Sequence, residues 1–220
     1  MATTVITVVV FVFFGQRLLG AARYALSPVG RARVGEIVRG LRFRHFWPIP
    51  IVFAIVVALA VLLLQVPGLS WGWWTALGGE GNPVTGLSDT TTGTALEWLV
   101  PVAFLTMLVP ALPLFAWREE EIFRCGLESK SKPRRVRRAI EFGLAHALIG
   151  IPVAVALALS AGGWYFTTVY LRAQRRTSSQ TAGLLESTRA HTAYNAVIIA
   201  VAFVAIIVTT VASITILSSS

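Results

Sequence analysis

Charge and sulfur are scarce in this sequence. Only 13% of its 220 residues are Asp, Glu, Lys or Arg, a single cysteine stands at 125, and there are three histidines. One thiol excludes an internal disulfide framework, and without matched Cys or His spacing it excludes a zinc module; Cys125 is expected to be a small buried residue near a helix end. The shortage of charge has the larger consequence. With 55% hydrophobic residues and a mean hydropathy of +0.72, the chain is too apolar for a water-soluble domain and reads as a polytopic, all-α membrane protein. Acidic residues are the rarer kind, ten against 19 Lys and Arg, for a formal charge of +9. The basic residues fall between apolar runs with no base-stacking aromatics interleaved. That pattern argues against nucleic acid and for an anionic lipid surface as partner.

Five apolar stretches are long enough to matter. Thr3 to Phe14, extended toward Tyr24, is the first expected span, followed by its basic residues as in an anchor with an exported amino terminus. Pro48 to Val66 is the second, and Trp98 to Trp117, carrying Pro101, Pro110 and Pro113, is the third. Residues 139–171 exceed one straight crossing and contain Gly150-Ile151-Pro152, which predicts a bent hairpin with arms 139–149 and 153–172. Ala190 to about Leu217 is the last. The expected architecture is therefore a transmembrane helical bundle of five to six membrane segments. An amphipathic interfacial helix is expected over 17–45, where seven arginines accompany Val34, Ile37, Val38 and Leu41 at helical spacing. His45, beside Phe46 and Trp47, is expected in the interfacial aromatic belt.

Positive charge supplies an internal test of that arrangement. All 19 Lys and Arg lie in three segments, seven in 17–45, eight in 118–138 and four in 172–189, and the loop 67–97 has none. An amino terminus outside puts those three segments in the cytoplasm and the loop on the exported face, as the charge bias requires. The expected location is the cell membrane, multi-pass. A division at 97 separates amino-terminal membrane segments from a carboxy-terminal core, 98–220.

The core is organised around Arg118-Glu119-Glu120-Glu121-Ile122-Phe123-Arg124, a charge cluster joined directly to a spanning segment. Carboxylates beside hydrocarbon are costly without partners. Glu120 and Arg124 stand four apart on a helix and can pair, which leaves Glu119 as the catalytic candidate. His146 lies in the following arm, and His191 and Asn195 open the last span from the same side. Phe142 with His146, and His191 with Asn195, share helix faces at a spacing of four, so these residues from three helices can converge on one pocket open to the cytoplasm.

Glu119-Glu120-x-x-x-Arg124 with Phe123 before the arginine, then Phe142-x-x-x-His146, then His191-x-x-x-Asn195, each at a membrane segment and in that order, resemble the three motifs of the CAAX protease and bacteriocin-processing (CPBP, or Abi) intramembrane proteases. The resemblance covers roughly 98–215. It implies a helical membrane bundle like that of type II CAAX prenyl endopeptidases, with fewer spans here than in the eight-helix members. It also implies a glutamate-type peptidase acting on a peptide or protein substrate, prenylated in the best-known relatives, with Glu120 and Arg124 in support.

Peptide hydrolysis needs an activated water, a stabilised oxyanion and a proton returned to the leaving amine. Glu119 with His146 suits the first task, and His191 with Asn195 suits the second. No cofactor is expected. Zinc on Glu119, His146 and His191 is the less favoured alternative, since there is no His-Glu-x-x-His pair and Asn is an uncommon zinc ligand. Two non-enzymatic readings stand beside this one. The first is a catalytically silent member acting as a membrane scaffold or bacteriocin immunity protein. The second, weaker one is a small transporter, which would place polar residues at the midplane instead of near one face.

Overall fold

The computed structural model describes the backbone of residues 2–73 and 96–219, and every regular element among them is helical. In chain order these are α1 (Ala2–Leu26), α2 (Pro28–Arg39), α3 (Phe43–Phe46), α4 (Ile49–Leu64), α5 (Leu96–Arg124), α6 (Lys132–Ala145), α7 (Val153–Ala158), α8 (Ser160–Thr177) and α9 (Gln180–Ser219). Most of the expected exported loop, including the run Asp89 to Thr92, lies outside the described residues. Two stretches among the described residues, Phe43–Leu64 and Val153–Thr177, are long and apolar enough to cross a membrane. Ile51, Ile55, Val61 and Leu62 of the first are exposed, as a lipid-facing surface would be.

The single amphipathic helix expected over 17–45 is instead three pieces. Ser27 ends α1 and caps α2, its Oγ accepting the Gly30 N–H at 3.1 Å, with Pro28 supplying the preset φ of a first helical residue. The corner is tight: a Cβ on Gly30 would lie 1.8 Å from Tyr24 O. Gly40 then ends α2 where the Arg189 guanidinium crosses it, 2.1 Å from the place a Cβ would occupy. The apolar stripe also turns inward more than expected. Ile37 is completely buried and Leu41 packs on the core, leaving Val38 exposed. His45 is 2% exposed, with both ring nitrogens hydrogen-bonded within the protein.

The hairpin over 139–172 is present. After α6 comes a short 3₁₀ turn, His146–Ile149, and Gly150 reverses the chain at φ +92°, a left-handed conformation that favours glycine. The segment after α4 caps the return arm, with Val153 and Ala154 N–H donating to Trp71 O at 2.9 Å and Leu69 O at 2.8 Å. Small residues bring α6 and α8 together. A Cβ on Gly143 would meet Ala156 O and Ser160 Oγ at 2.4 Å each, so only glycine admits this crossing.

α9 starts ten residues before the expected span and packs along α5 and α8. Ile49, Phe142, Phe166, Ala190, Ala193 and Tyr194 form the central apolar cluster, which Phe46 and Phe123 join at its edge. Residues from both sides of position 97 therefore share one core. Cys125, just past α5, is exposed, contrary to its expected burial, because the chain has left the helix and turned at Gly126 (φ +81°).

Candidate functional site

α5 brings three motif residues to its carboxy-terminal turns, and their surroundings differ sharply. Glu120 and Arg124 are fully buried and paired, Arg124 Nε standing 3.2 Å from Glu120 Oε2. Burying two charges costs less when some of their other polar atoms find partners. Arg124 Nη2 donates to Gly163 O at 3.1 Å, and its guanidinium lies 4.3 Å from the centre of the Phe142 ring, a cation–π contact. Glu120 Oε1 accepts a hydrogen bond from His191 Nδ1 at 3.0 Å. The carboxylate thus bridges a guanidinium on its own helix and an imidazole on α9.

Glu119, one residue away, projects in another direction and keeps 33% of its side chain exposed. Its Oε2 is 3.6 Å from His191 Nε2, too long for a direct hydrogen bond, and accepts none from elsewhere among the described residues. His191 therefore lies between two glutamates. The Nδ1–H given to Glu120 leaves Nε2 of the neutral ring with its lone pair toward Glu119.

Aromatic packing fixes that imidazole. Phe166 stacks on it at 4.3 Å with planes 19° apart, and Phe142 meets it edge-on at 5.5 Å. Phe142 also meets the His146 ring, at 4.9 Å, so one phenyl group carries both histidines. His146, at the carboxy-terminal end of α6, donates Nδ1–H to Phe142 O at 2.9 Å, which leaves its Nε2 unprotonated in the neutral form. It is half-buried and makes no hydrogen bond to Glu119. Asn195, one turn beyond His191, is half-buried without a hydrogen bond among the described residues. The structure thus joins Glu119, Glu120, Arg124, Phe142 and His191 through direct contacts, sets His146 against the same phenyl ring, and leaves Asn195 beside them on the α9 face.

Three contributors escaped the sequence reading. Phe166 and the Gly163 carbonyl belong to an apolar run whose residues carry no polar signal. Ser187, completely buried beside Glu120, could have been found, since it precedes His191 by one helical turn. Among the described residues no three His, Cys, Asp or Glu side chains are grouped closely enough to hold a metal ion.

A second polar cluster holds α2 and α3 against α9. Arg42 N–H donates to His45 Nδ1 at 2.9 Å, which fixes the ring's proton on Nε2, and Nε2–H donates to Glu186 Oε1 at 3.1 Å. Arg44 and Arg189 flank the same carboxylate at 2.8 and 3.5 Å. The His45 hydrogen bond, aided by these two cations, pulls the Glu186 carboxyl down to about 2. No family model matches this chain, and no curated protein or solved structure matches it either.

Proposed function

We propose that this chain is an intramembrane endopeptidase of the kind its three motifs resemble, cutting a peptide bond near the cytoplasmic membrane face. The observation that supports it most is the Glu119–His191 approach of 3.6 Å, made by residues far apart in sequence and backed by a buried Glu120–Arg124 pair. A purely structural ion pair has no use for a second, solvent-reaching carboxylate on the same imidazole.

In this reading Glu119 removes a proton from a water molecule as the water oxygen bonds to the scissile carbonyl carbon, and His146 Nε2 helps orient that water. His191 serves as the oxyanion donor when its Nε2 carries a proton, and Asn195 adds a neutral donor. The proton on Glu119 then passes to the amide nitrogen as the C–N bond breaks. No metal takes part in this scheme. Zinc on Glu119, His146 and His191 stays the less favoured variant, and inhibition by a chelator reversed specifically by zinc would favour it.

The membrane placement is part of the proposal. α1, α5 and α9 join the two apolar stretches as crossing elements, the amino terminus is outside, and the three basic segments face the cytoplasm and its anionic lipid. The substrate is a peptide or protein segment reached from that side, with or without a prenyl group. A silent member that binds a partner through this pocket, as a scaffold or immunity protein, is the second reading. It draws support from the engagement of His146 with the Phe142 carbonyl instead of Glu119.

Purified protein in lipid nanodiscs with a tethered peptide reporter separates them. The peptidase reading expects cleavage that Glu119→Gln and His191→Ala each reduce by at least about 100-fold while Asn195→Ala leaves part of it. Equal turnover by wild type and Glu119→Gln, or none by either across a broad peptide set, would sink it and favour the scaffold.

A further inference from the structure

Among the described residues, two basic amphipathic helical segments differ in how they set out their exposed apolar side chains. α2 and α3 divide theirs: Ile37 is buried, Leu41 and Phe46 are packed on the core and His45 is tied to Glu186, while Val29, Val38, Phe43 and Trp47 are exposed but form no unbroken row at a spacing of four. α6 is different. Its inner face, Ala139, Phe142 and Gly143, is buried against α8, while Val136, Ile140 and Leu144 are exposed in one row at a spacing of four. Leu148 in the following turn continues the row and is 72% exposed.

The charges on α6 and just before it are graded along the chain. Arg135 is occupied by Leu127 O and Glu128 O, and Arg137 and Arg138 share Glu141. Lys130, Lys132 and Arg134 are exposed and have no ion-pair partner among the described residues. All three precede the apolar row, so one end of the arm is cationic and the other is hydrocarbon. α6 and α8 are the two arms of one hairpin, and α8 belongs to the apolar stretch Val153–Thr177. The arm therefore descends beside a candidate crossing helix, from its basic end to its apolar one.

We propose that the outer edge of α6 is an anionic-lipid seam. Lys130, Lys132 and Arg134 sit at phosphate height on the cytoplasmic leaflet, and Val136, Ile140, Leu144 and Leu148 enter the acyl layer at successively greater depth. A bilayer surface fits because it is negative at the surface and apolar beneath, in the same order as the helix. A soluble acidic partner would meet the cations and leave the apolar row in water. The inference rests on the membrane placement proposed above and is independent of the peptidase reading.

The experiment uses full-length protein with Cys125→Ser and single cysteines at 136, 140, 144 and 148 carrying spin labels. It is reconstituted in nanodiscs of phosphatidylcholine with or without phosphatidylglycerol. A label at Ile55, exposed on α4, serves as the membrane control. Oxygen accessibility is expected to rise, and that of a water-soluble nickel complex to fall, from 136 to 148. Retention of phosphatidylglycerol over phosphatidylcholine is expected to drop roughly fivefold for each of Lys130, Lys132 and Arg134 changed to Gln. A water-exposed profile along α6 with Ile55 in lipid overturns this inference alone, whereas water exposure at Ile55 as well overturns the membrane placement with it. Wild-type protein that shows no preference between the two lipids overturns the headgroup assignment without recourse to any variant.

Discussion

Glu120 Oε1 lies 3.0 Å from Nδ1 of His191, so the second glutamate of the motif holds the imidazole whose other nitrogen faces the first. The sequence suggests only that Glu120 pairs with Arg124 four residues on. The structure gives it both partners, and that double attachment sets the order in which substitutions should act.

Removing one member of the buried pair leaves the other charged and unpaired. Arg124→Ala or Glu120→Gln should lower the yield of folded protein, with a cost of about 3–5 kcal/mol for Arg124→Ala. Glu120→Gln combined with Arg124→Met should recover part of the loss, since no lone charge is left buried. Size-exclusion profiles and thermal unfolding in detergent read this out; a double variant no better than Arg124→Ala would show that charge pairing is not what matters there.

The hairpin arms meet through glycine. A Cβ on Gly163 would stand 2.8 Å from Phe142 Cδ1 and 2.9 Å from Ala139 O, so Gly163→Ala must displace the ring that supports both histidines. Overpacking of this kind costs about 1–3 kcal/mol. Gly162→Ala, whose Cβ would meet only Phe166 at 4.0 Å, should be far milder. Unfolding midpoints of the two variants compare them directly.

How much of this was legible in advance varies by residue. Helix periodicity and the Gly150-Ile151-Pro152 break announce the hairpin, because a left-handed glycine and a proline both act locally. The four-residue spacings in the motifs announce the paired faces for the same reason. Local signals say nothing about which side chain of α8 stacks on which ring of α9, so Phe166 was invisible. The partner of His45 was invisible for the same reason, since Glu186 is 141 residues away.

That His45–Glu186 contact carries a pH prediction. The Glu186 carboxyl is lowered from 4.5 to about 2 in the folded protein, so the stabilisation it provides is complete above about 4.5 and is lost as pH falls from there toward 2. Protection factors across 28–46, which correct for the slower intrinsic exchange in acid, should therefore fall on acidification through that window in wild type. In His45→Ala exchange there should already be faster at pH 7. Protection factors unchanged across pH and variant would mean that α2 and α3 are held by apolar packing alone.

His146 and Asn195 should be separable by their effects. His146→Ala should cut turnover by about 100-fold with little change in yield, since its side chain is half-buried and bonds only to the Phe142 carbonyl. Asn195→Ala should lower the rate less, as one neutral donor among two. Single-turnover kinetics on the tethered reporter distinguish these from losses in binding.

The account turns on Glu119 being the group that activates water, and comparison of peptide termini in cells carrying wild type or Glu119→Gln tests that most directly. New amino termini at membrane-proximal, cytoplasm-facing sites should appear with wild type and vanish with Glu119→Gln at equal protein levels. Identical sets of termini in the two strains would contradict it.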